Sequence, residues 1–189
     1  MSATRLTDDF YERIKPRLHR RVGRELRLAG RVLDLGCGSC DLVKYLAETY
    51  CQEITGVDIS SKPFPARRQT PRGVQFHCLR RNACHLKFVA DGSVDAVVMF
   101  WSLHEMGKPG PILAETRRVL RPGGKILIVE FPKESLAGRL WDEKYYRPDQ
   151  ILRFLVRSGF EEAKVRLIER RQVIWAHAYQ PQRRGKCTN

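Results

Sequence analysis

Val32-Leu33-Asp34-Leu35-Gly36-Cys37-Gly38-Ser39-Cys40-Asp41 decides how this chain folds. A short, mostly apolar run meets two glycines one residue apart. Asp41–Tyr50 follows, with Leu42, Val43 and Leu46 at the spacing of one helix face. A strand that turns on glycine and restarts as a helix offers unpaired backbone N–H groups at the turn. The glycines let that backbone approach a ligand closely. The next apolar run, Glu53–Val57, ends in Asp58, 22 residues beyond Gly36. A carboxylate there accepts hydrogen bonds from both hydroxyls of a ribose. Turn, helix and acid describe a site for a nucleoside cofactor. The dinucleotide fingerprint G-x-G-x-x-G needs a third glycine where this chain has Asp41. Asp41 would repel a pyrophosphate, and Asp34 just before the turn suits a cation better than an anion. Nicotinamide dinucleotide is disfavoured, and a ligand carrying ammonium and sulfonium charge fits.

Outward from this stretch, Phe10, Ile14, Leu18, Val22 and Leu26 recur every four residues and predict a helix over 9–28, which Pro16 divides into two pieces. Val74–Leu79, Val94–Phe100 and Lys125–Glu130 are strand-like. Residues 61–73 hold three prolines and are expected to be loop with at most a short helix. Pro111–Leu120 is a helix with Ile112, Leu113, Thr116, Val119 and Leu120 on one side, stopped by Arg121-Pro122-Gly123-Gly124. Pro148–Ser158 is another, with Ile151, Leu152, Leu155 and Val156 expected to be buried. Val165–Glu169 and Val173–Tyr179 form a hairpin. Strand and helix in alternation give an α/β doubly wound sheet, which binds ligands at the carboxyl ends of its strands.

Four segments together carry a family resemblance. Val32–Gly38 resembles motif I of the class I S-adenosylmethionine-dependent methyltransferases, of the methyltransferase type 11, UbiE-like kind. Gly56-Val57-Asp58-Ile59-Ser60 resembles the acidic second motif, Ser93–Val98 the fourth-strand motif, and Leu120–Ile128 the helix-turn-strand that follows. The order and spacing match over about residues 30–130. The resemblance implies a Rossmann-like, seven-stranded, mostly parallel sheet with an antiparallel last strand and helices on both faces. It implies S-adenosyl-L-methionine as cofactor and S-adenosyl-L-homocysteine as product. Gly36, Cys37 and Gly38 would lie against the methionine part, with Asp34 anchoring its amino group through water or backbone. Asp58 would bind the ribose, and Ile59 would pack on the adenine. Asn82-Ala83 stands where the family usually has Asp-Ala, facing the adenine amino group. Phe100 and Trp101 would wall the cofactor near its methyl. Cys40 departs from the pattern, because many members have a third glycine there.

Methyl transfer to an activated sulfonium needs alignment first, and a base only where the acceptor must lose a proton. Trp101–Met106 follows the fourth strand and should face the acceptor. His104 is the candidate base and Glu105 its orienting partner, with packing or helix capping as the competing roles. Glu130, Trp141, Tyr145 and Tyr146 are candidates for the acceptor pocket, the last three within a segment, 131–149, that in this family often closes over the acceptor. Asn-Pro-Pro-Tyr after Val98 and a Pro-Cys dipeptide are both absent, which tilts the reading to a small-molecule acceptor. An RNA methyltransferase and a non-catalytic cofactor-binding regulatory subunit are the alternatives.

The charge feeds the RNA alternative. Against 21 acids stand 35 Lys and Arg among 189 residues, a net charge of +14 and a pI near 9.9. Arg13, Lys15, Arg17, Arg20, Arg21, Arg24 and Arg27 crowd the first helix, and Arg183, Arg184 and Lys186 the tail. Such charge favours phosphate, yet it also decorates ordinary solvated helices. The length suits one domain, 1–180, with residues 1–28 as a basic helical cap and 181–189 as a flexible basic tail. Apolar residues reach 42% and come in runs, which disfavours disorder. No run attains the roughly 18 residues of a membrane span, and the polar N-terminus does not look like a secretory leader. The expectation is a cytoplasmic protein with reduced cysteines. Cys37 and Cys40 have the spacing of a redox pair or half a zinc site. Without a second C-x-x-C they are expected to be unlinked thiols, with no metal.

Overall fold

Strand residues alternate between two apolar faces, so both faces must be covered. Val32, Ile54, Ala96, Val98, Leu127 and Val129 enter one core cluster. Their neighbours Leu33, Leu35, Val57, Val97, Ile126 and Ile128 enter another. This is why the strands are continuously apolar in sequence. In the computed structural model, residue 7, residues 9–60, residue 64 and residues 68–182 are described. The strands are β1 (Arg31–Leu35), β2 (Glu53–Asp58), β3 (Arg68–Gln69), β4 (Gln75–Arg80), β5 (Val94–Phe100), β6 (Leu120–Glu130), β7 (Glu161–Ile168) and β8 (Val173–Tyr179). Their order in the sheet is β3-β4-β2-β1-β5-β6-β8-β7. β4, β2, β1, β5 and β6 are parallel. β8 inserts antiparallel between β6 and β7. Apart from β3, this is the expected seven-stranded sheet.

Helices α1 (Phe10–Glu25) and α2 (Asp41–Tyr50) cover one face. Helices α3 (Pro109–Val119) and α5 (Pro148–Arg157) cover the other, and a single turn, α4 (Ala137–Leu140), lies between β6 and α5. Strand order reverses between β1 and β5, each of which pairs with the other. The crevice at the carboxyl ends of those two strands is where such sheets bind ligands.

Four expectations are corrected. Pro16 does not divide α1: the helix runs unbroken, held by the burial of Ile14, Leu18 and Val22. β3 falls in the stretch predicted as loop. Thr70 N donates to Val74 O and Gly73 N to Thr70 O, and this tight turn folds Gln69 back onto Gln75. Leu152 and Val156 are 38% and 58% exposed. Ile151 and Leu155 are the i, i+4 pair that meets the sheet, and the adjacent pair is turned about 100° away. The helix ends before Arg121–Gly124 as read, but the strand begins at Leu120 rather than Lys125, with an irregular entry where pairing jumps from Val94↔Leu120 to Ala96↔Lys125.

On α1, Arg13 pairs with Asp9, Lys15 with Asp41 and Arg17 with Glu169. The Arg21 guanidinium lies over Trp175. The tail from residue 183 lies outside the described residues. Among the described residues no helix is long and apolar enough to cross a membrane.

Candidate functional site

The loop after β1 is built around close approach. Gly36 N and Cys37 N both donate to Val57 O, at 2.7 and 3.1 Å, which locks the loop to the end of β2. Gly36 has φ +75°, and a Cβ there would lie 2.4 Å from Ser102 Cβ. Ser102 Oγ donates to Leu35 O at 2.7 Å, so the turn after β5 is pinned against the turn after β1. Asp58 accepts from Gly38 N at 2.8 Å and from Ser60 N at 2.7 Å. The acid is thereby fixed between the two loops.

Two cavities open on this loop. The first, of about 200 Å³, is lined by Gly36, Asp58, Ile59, Asn82, Ala83, Cys84, Ser102, Glu105 and Met106, among others. Ile59 is 73% exposed beside it, an apolar surface suited to a flat ring. Asn82 Oδ1 accepts from Cys84 N. The second cavity, of about 220 Å³, is lined by Lys15, His19, Asp34, Gly36, Cys37, Gly38, Phe100, Trp101 and Glu105, among others. Gly36, Asp58, Ser102 and Glu105 border both, so the two are halves of one cleft. A larger hollow of about 750 Å³ lies between α3 and α5. None of the loop residues lines it, and it lacks their chemistry.

Asp34 is buried, and its Oδ1 has no hydrogen-bond partner. Burial, reinforced by the nearby Asp58 charge, pushes its carboxyl up to about 8. An orphaned buried carboxyl lining a cleft is matched by a cationic ligand group. Sequence reasoning missed two residues on the same cavity, His19 and Lys15, because α1 was read as a solvated basic face. His19 is buried with Nε2 unpartnered. Burial, aided by the Lys15 charge, holds it down to about 4, so it is neutral at pH 7. Lys15 Nζ donates to Asp41 at 2.8 Å across the cavity mouth. The one sequence signal was a histidine beside the apolar stripe of α1.

The acceptor-side candidates separate. Glu105, in the 3-10 turn Leu103–Met106, lines both cavities. The His104 side chain is buried and lines neither. Its Nδ1 meets Glu130 Oε1 at 2.9 Å, and its Nε2 lies 3.7 Å from Glu105 Oε1. Burial alone would lower the imidazole pKa. The hydrogen bond to Glu130 and the charges of Glu130, Glu105 and Glu143 outweigh it, so the net shift is upward. Glu130 is fully buried and lines neither cavity. It also accepts from His104 N and Phe131 N, so it holds the turn rather than the pocket. Trp101 (φ +56°), Tyr11, Phe131, Tyr145 and Trp141 pack into one aromatic cluster, with Trp141 42% exposed. A positive φ on so bulky a residue is strained and is typical of functional turns. Tyr146 is core instead: it packs on Phe154 and donates to Gly107 O at 3.3 Å.

The cysteines correct a further expectation. Cys40 is joined to Cys78 in a disulfide while buried Cys37 is free, so the expectation of unlinked, reduced thiols holds for Cys37 and fails for Cys40. β4 carries Cys78 alongside β2, beneath the loop, a proximity invisible in sequence.

Residues 33–128, half of the chain, match the family described as Methyltransferase domain. Over 105 residues the chain is 33% identical to a demethylmenaquinone methyltransferase of Thermus thermophilus, covering 54% of this chain and 47% of that protein. The chain spans about half the length of the curated relatives it matches. Among solved structures, the [4+2]-cyclase SpnF superposes with TM-score 0.74 at 21% identity, over 88% of this chain and 80% of that one. A Burkholderia thailandensis 1,6-didemethyltoxoflavin-N1-methyltransferase with bound 1,6-didemethyltoxoflavin and S-adenosylhomocysteine gives TM-score 0.66 at 16% identity, over 96% and 94%. At such identities these two likenesses establish the fold.

Proposed function

The chain belongs to the methyltransferase domain family, and on that premise we propose that it transfers the methyl group of S-adenosylmethionine to a small, planar, aromatic acceptor. The observation that carries the proposal is the cleft at the β1/β5 reversal, with an orphaned buried acid in one half and a fixed acid where the halves meet. The residues fit that cofactor. Asp34 would meet an ammonium, Asp58 ribose hydroxyls, and exposed Ile59 with Ala83 adenine. Lys15 and His19 suit the carboxylate of the methionine part. Bound there, the cofactor supplies an electrophilic methyl on a sulfonium, already activated.

The chain's own task is then alignment and dehydration. Phe100 and Trp101 wall the second half of the cleft and would exclude water from the reacting centre. Trp101, on the cleft wall with buried Tyr11 packed behind it, offers a ring to an aromatic acceptor. Glu105 borders the cleft and would take the acceptor's proton. His104, held by Glu130, would stabilise Glu105 from behind. This reading makes Glu105 the base and His104 a positioning residue. The relative named for demethylmenaquinone supports an aromatic acceptor of the quinol class.

The test has two stages. S-adenosylhomocysteine should raise the melting temperature. Labelled S-adenosylmethionine should then pass its methyl to a reduced demethylquinone. Transfer to bulk RNA instead, surviving about 200 mM salt, would replace this reading with the nucleic-acid one. Cofactor binding with no transfer to any acceptor would leave a non-catalytic subunit.

A further inference from the structure

We infer that Cys37, Cys40 and Cys78, when reduced, form a three-thiolate site for one soft d10 metal cation, zinc(II) or copper(I), beneath the glycine loop. The three sulfurs lie within 4.8 Å of one another. They come from three places: the loop, the residue preceding α2, and the middle of β4. Cys37 Sγ and Cys40 Sγ are 3.7 Å apart. Two thiolates bound at about 2.3 Å to one tetrahedral zinc are separated by about 3.8 Å. Thiolate-only sites select zinc and copper(I) over the harder cations.

Three features of the surroundings bear on these sulfurs. Gly56 is the register partner of Cys78, and a Cβ there would lie 2.7 Å from Cys37 Sγ. The missing side chain is therefore the slot into which Cys37 reaches. Cys40 has φ +67°, a left-handed conformation natural to glycine and strained for any side chain. Asp58 faces Cys37 with negative charge, which favours a cation among the sulfurs.

The structure holds the oxidised form, with Cys40 bonded to Cys78. Two electrons and two protons from an external dithiol or phosphine reductant break that bond and leave three thiols. Binding then breaks three S–H bonds, releases three protons to water and forms three metal–sulfur bonds. The bound ion would clasp the loop to β4, a role independent of the acceptor.

The experiment uses the whole chain, reduced with a phosphine under nitrogen, titrated with zinc(II) or copper(I) and desalted before metal counting. One ion per chain is expected, with affinity falling roughly a hundredfold in C37S and in C78S and unchanged in C51S. Either ion binding in this pattern supports the site, and the tighter one identifies its occupant. No retained metal, or equal retention by C37S and C78S, overturns it. Should those variants fail to fold, alkylation mapping of the wild type decides: metal must shield Cys37, Cys40 and Cys78 but not Cys51, and equal labelling overturns the site. The thermal shift with S-adenosylhomocysteine, measured on the same samples, tests the cofactor reading separately.

Discussion

Asp34→Asn should make the ligand-free protein more stable and the cofactor site worse. The carboxyl is fully buried without a partner for Oδ1, and its pKa stands at about 8 against an ordinary 3.8. Because the folded-state value is raised, the stability belonging to this group is whole below pH 3.8 and is lost as pH rises through about 8. At pH 7 the loss is on the order of 4 kcal/mol, from about 1.4 kcal/mol for each pH unit above 3.8. Asparagine has the same shape and no charge to bury. At about 2–4 °C per kcal/mol for a chain of this size, the variant should melt about 10 °C higher at pH 7. The difference should vanish near pH 4. Binding has the opposite sense. A ligand ammonium requires the ionised carboxylate, so wild-type affinity for S-adenosylhomocysteine should rise about tenfold per pH unit up to about 8 and then level. The variant should bind weakly, with a flat profile. Thermal denaturation from pH 4 to 9 and calorimetric titration with S-adenosylhomocysteine read both effects. Equal melting of the two proteins at pH 8, or an unchanged pH-dependent gain in the variant, would refute the reasoning.

Asp58→Ala removes the acceptor of Gly38 N and Ser60 N as well as the proposed ribose contact, and calorimetry should show S-adenosylhomocysteine binding weakened by about 2–3 kcal/mol. Glu130→Ala strips a fully buried acid from His104 Nδ1, His104 N and Phe131 N, and the urea midpoint should report a loss of about 3–5 kcal/mol. His104 has a raised pKa, so its stabilisation is full below about 6.5 and is lost as pH rises through its folded-state value. His104→Asn should abolish that alkaline decline in chemical denaturation. His19 behaves oppositely. With its pKa down at about 4, stability is full above 6.5 and falls by up to about 3 kcal/mol on acidification to pH 4, and His19→Leu should flatten that limb in melting curves.

Sequence by itself determined the sheet and its ligand-binding edge. A strand buried on both faces must be apolar at every position, so β1, β5 and most of β6 announce themselves. The turn at Gly36 needs a residue without a side chain, because Ser102 stands where one would go, and Gly38 holds a left-handed φ of +49°. Asp34, Asp58, Ile59 and Asn82 follow from position along those strands. Only the tertiary structure decided what lies across the cleft. α1 brings His19 and Lys15 to the methionine end, and no local pattern distinguishes them from the solvated basic residues beside them. His104 and Glu130 are 26 residues apart, and whether they line a pocket or bury each other depends on how the turn after β5 meets the end of β6. Leu152 and Val156 share the helical period of Ile151 and Leu155, and the orientation of the helix buries only one of those stripes. Cys78 reaches Cys40 because parallel pairing sets β4 beside β2, opposite a glycine. Periodicity records which residues must leave water. It carries no record of which distant residues they will meet, because that is fixed by the packing of elements whose sequences do not refer to one another.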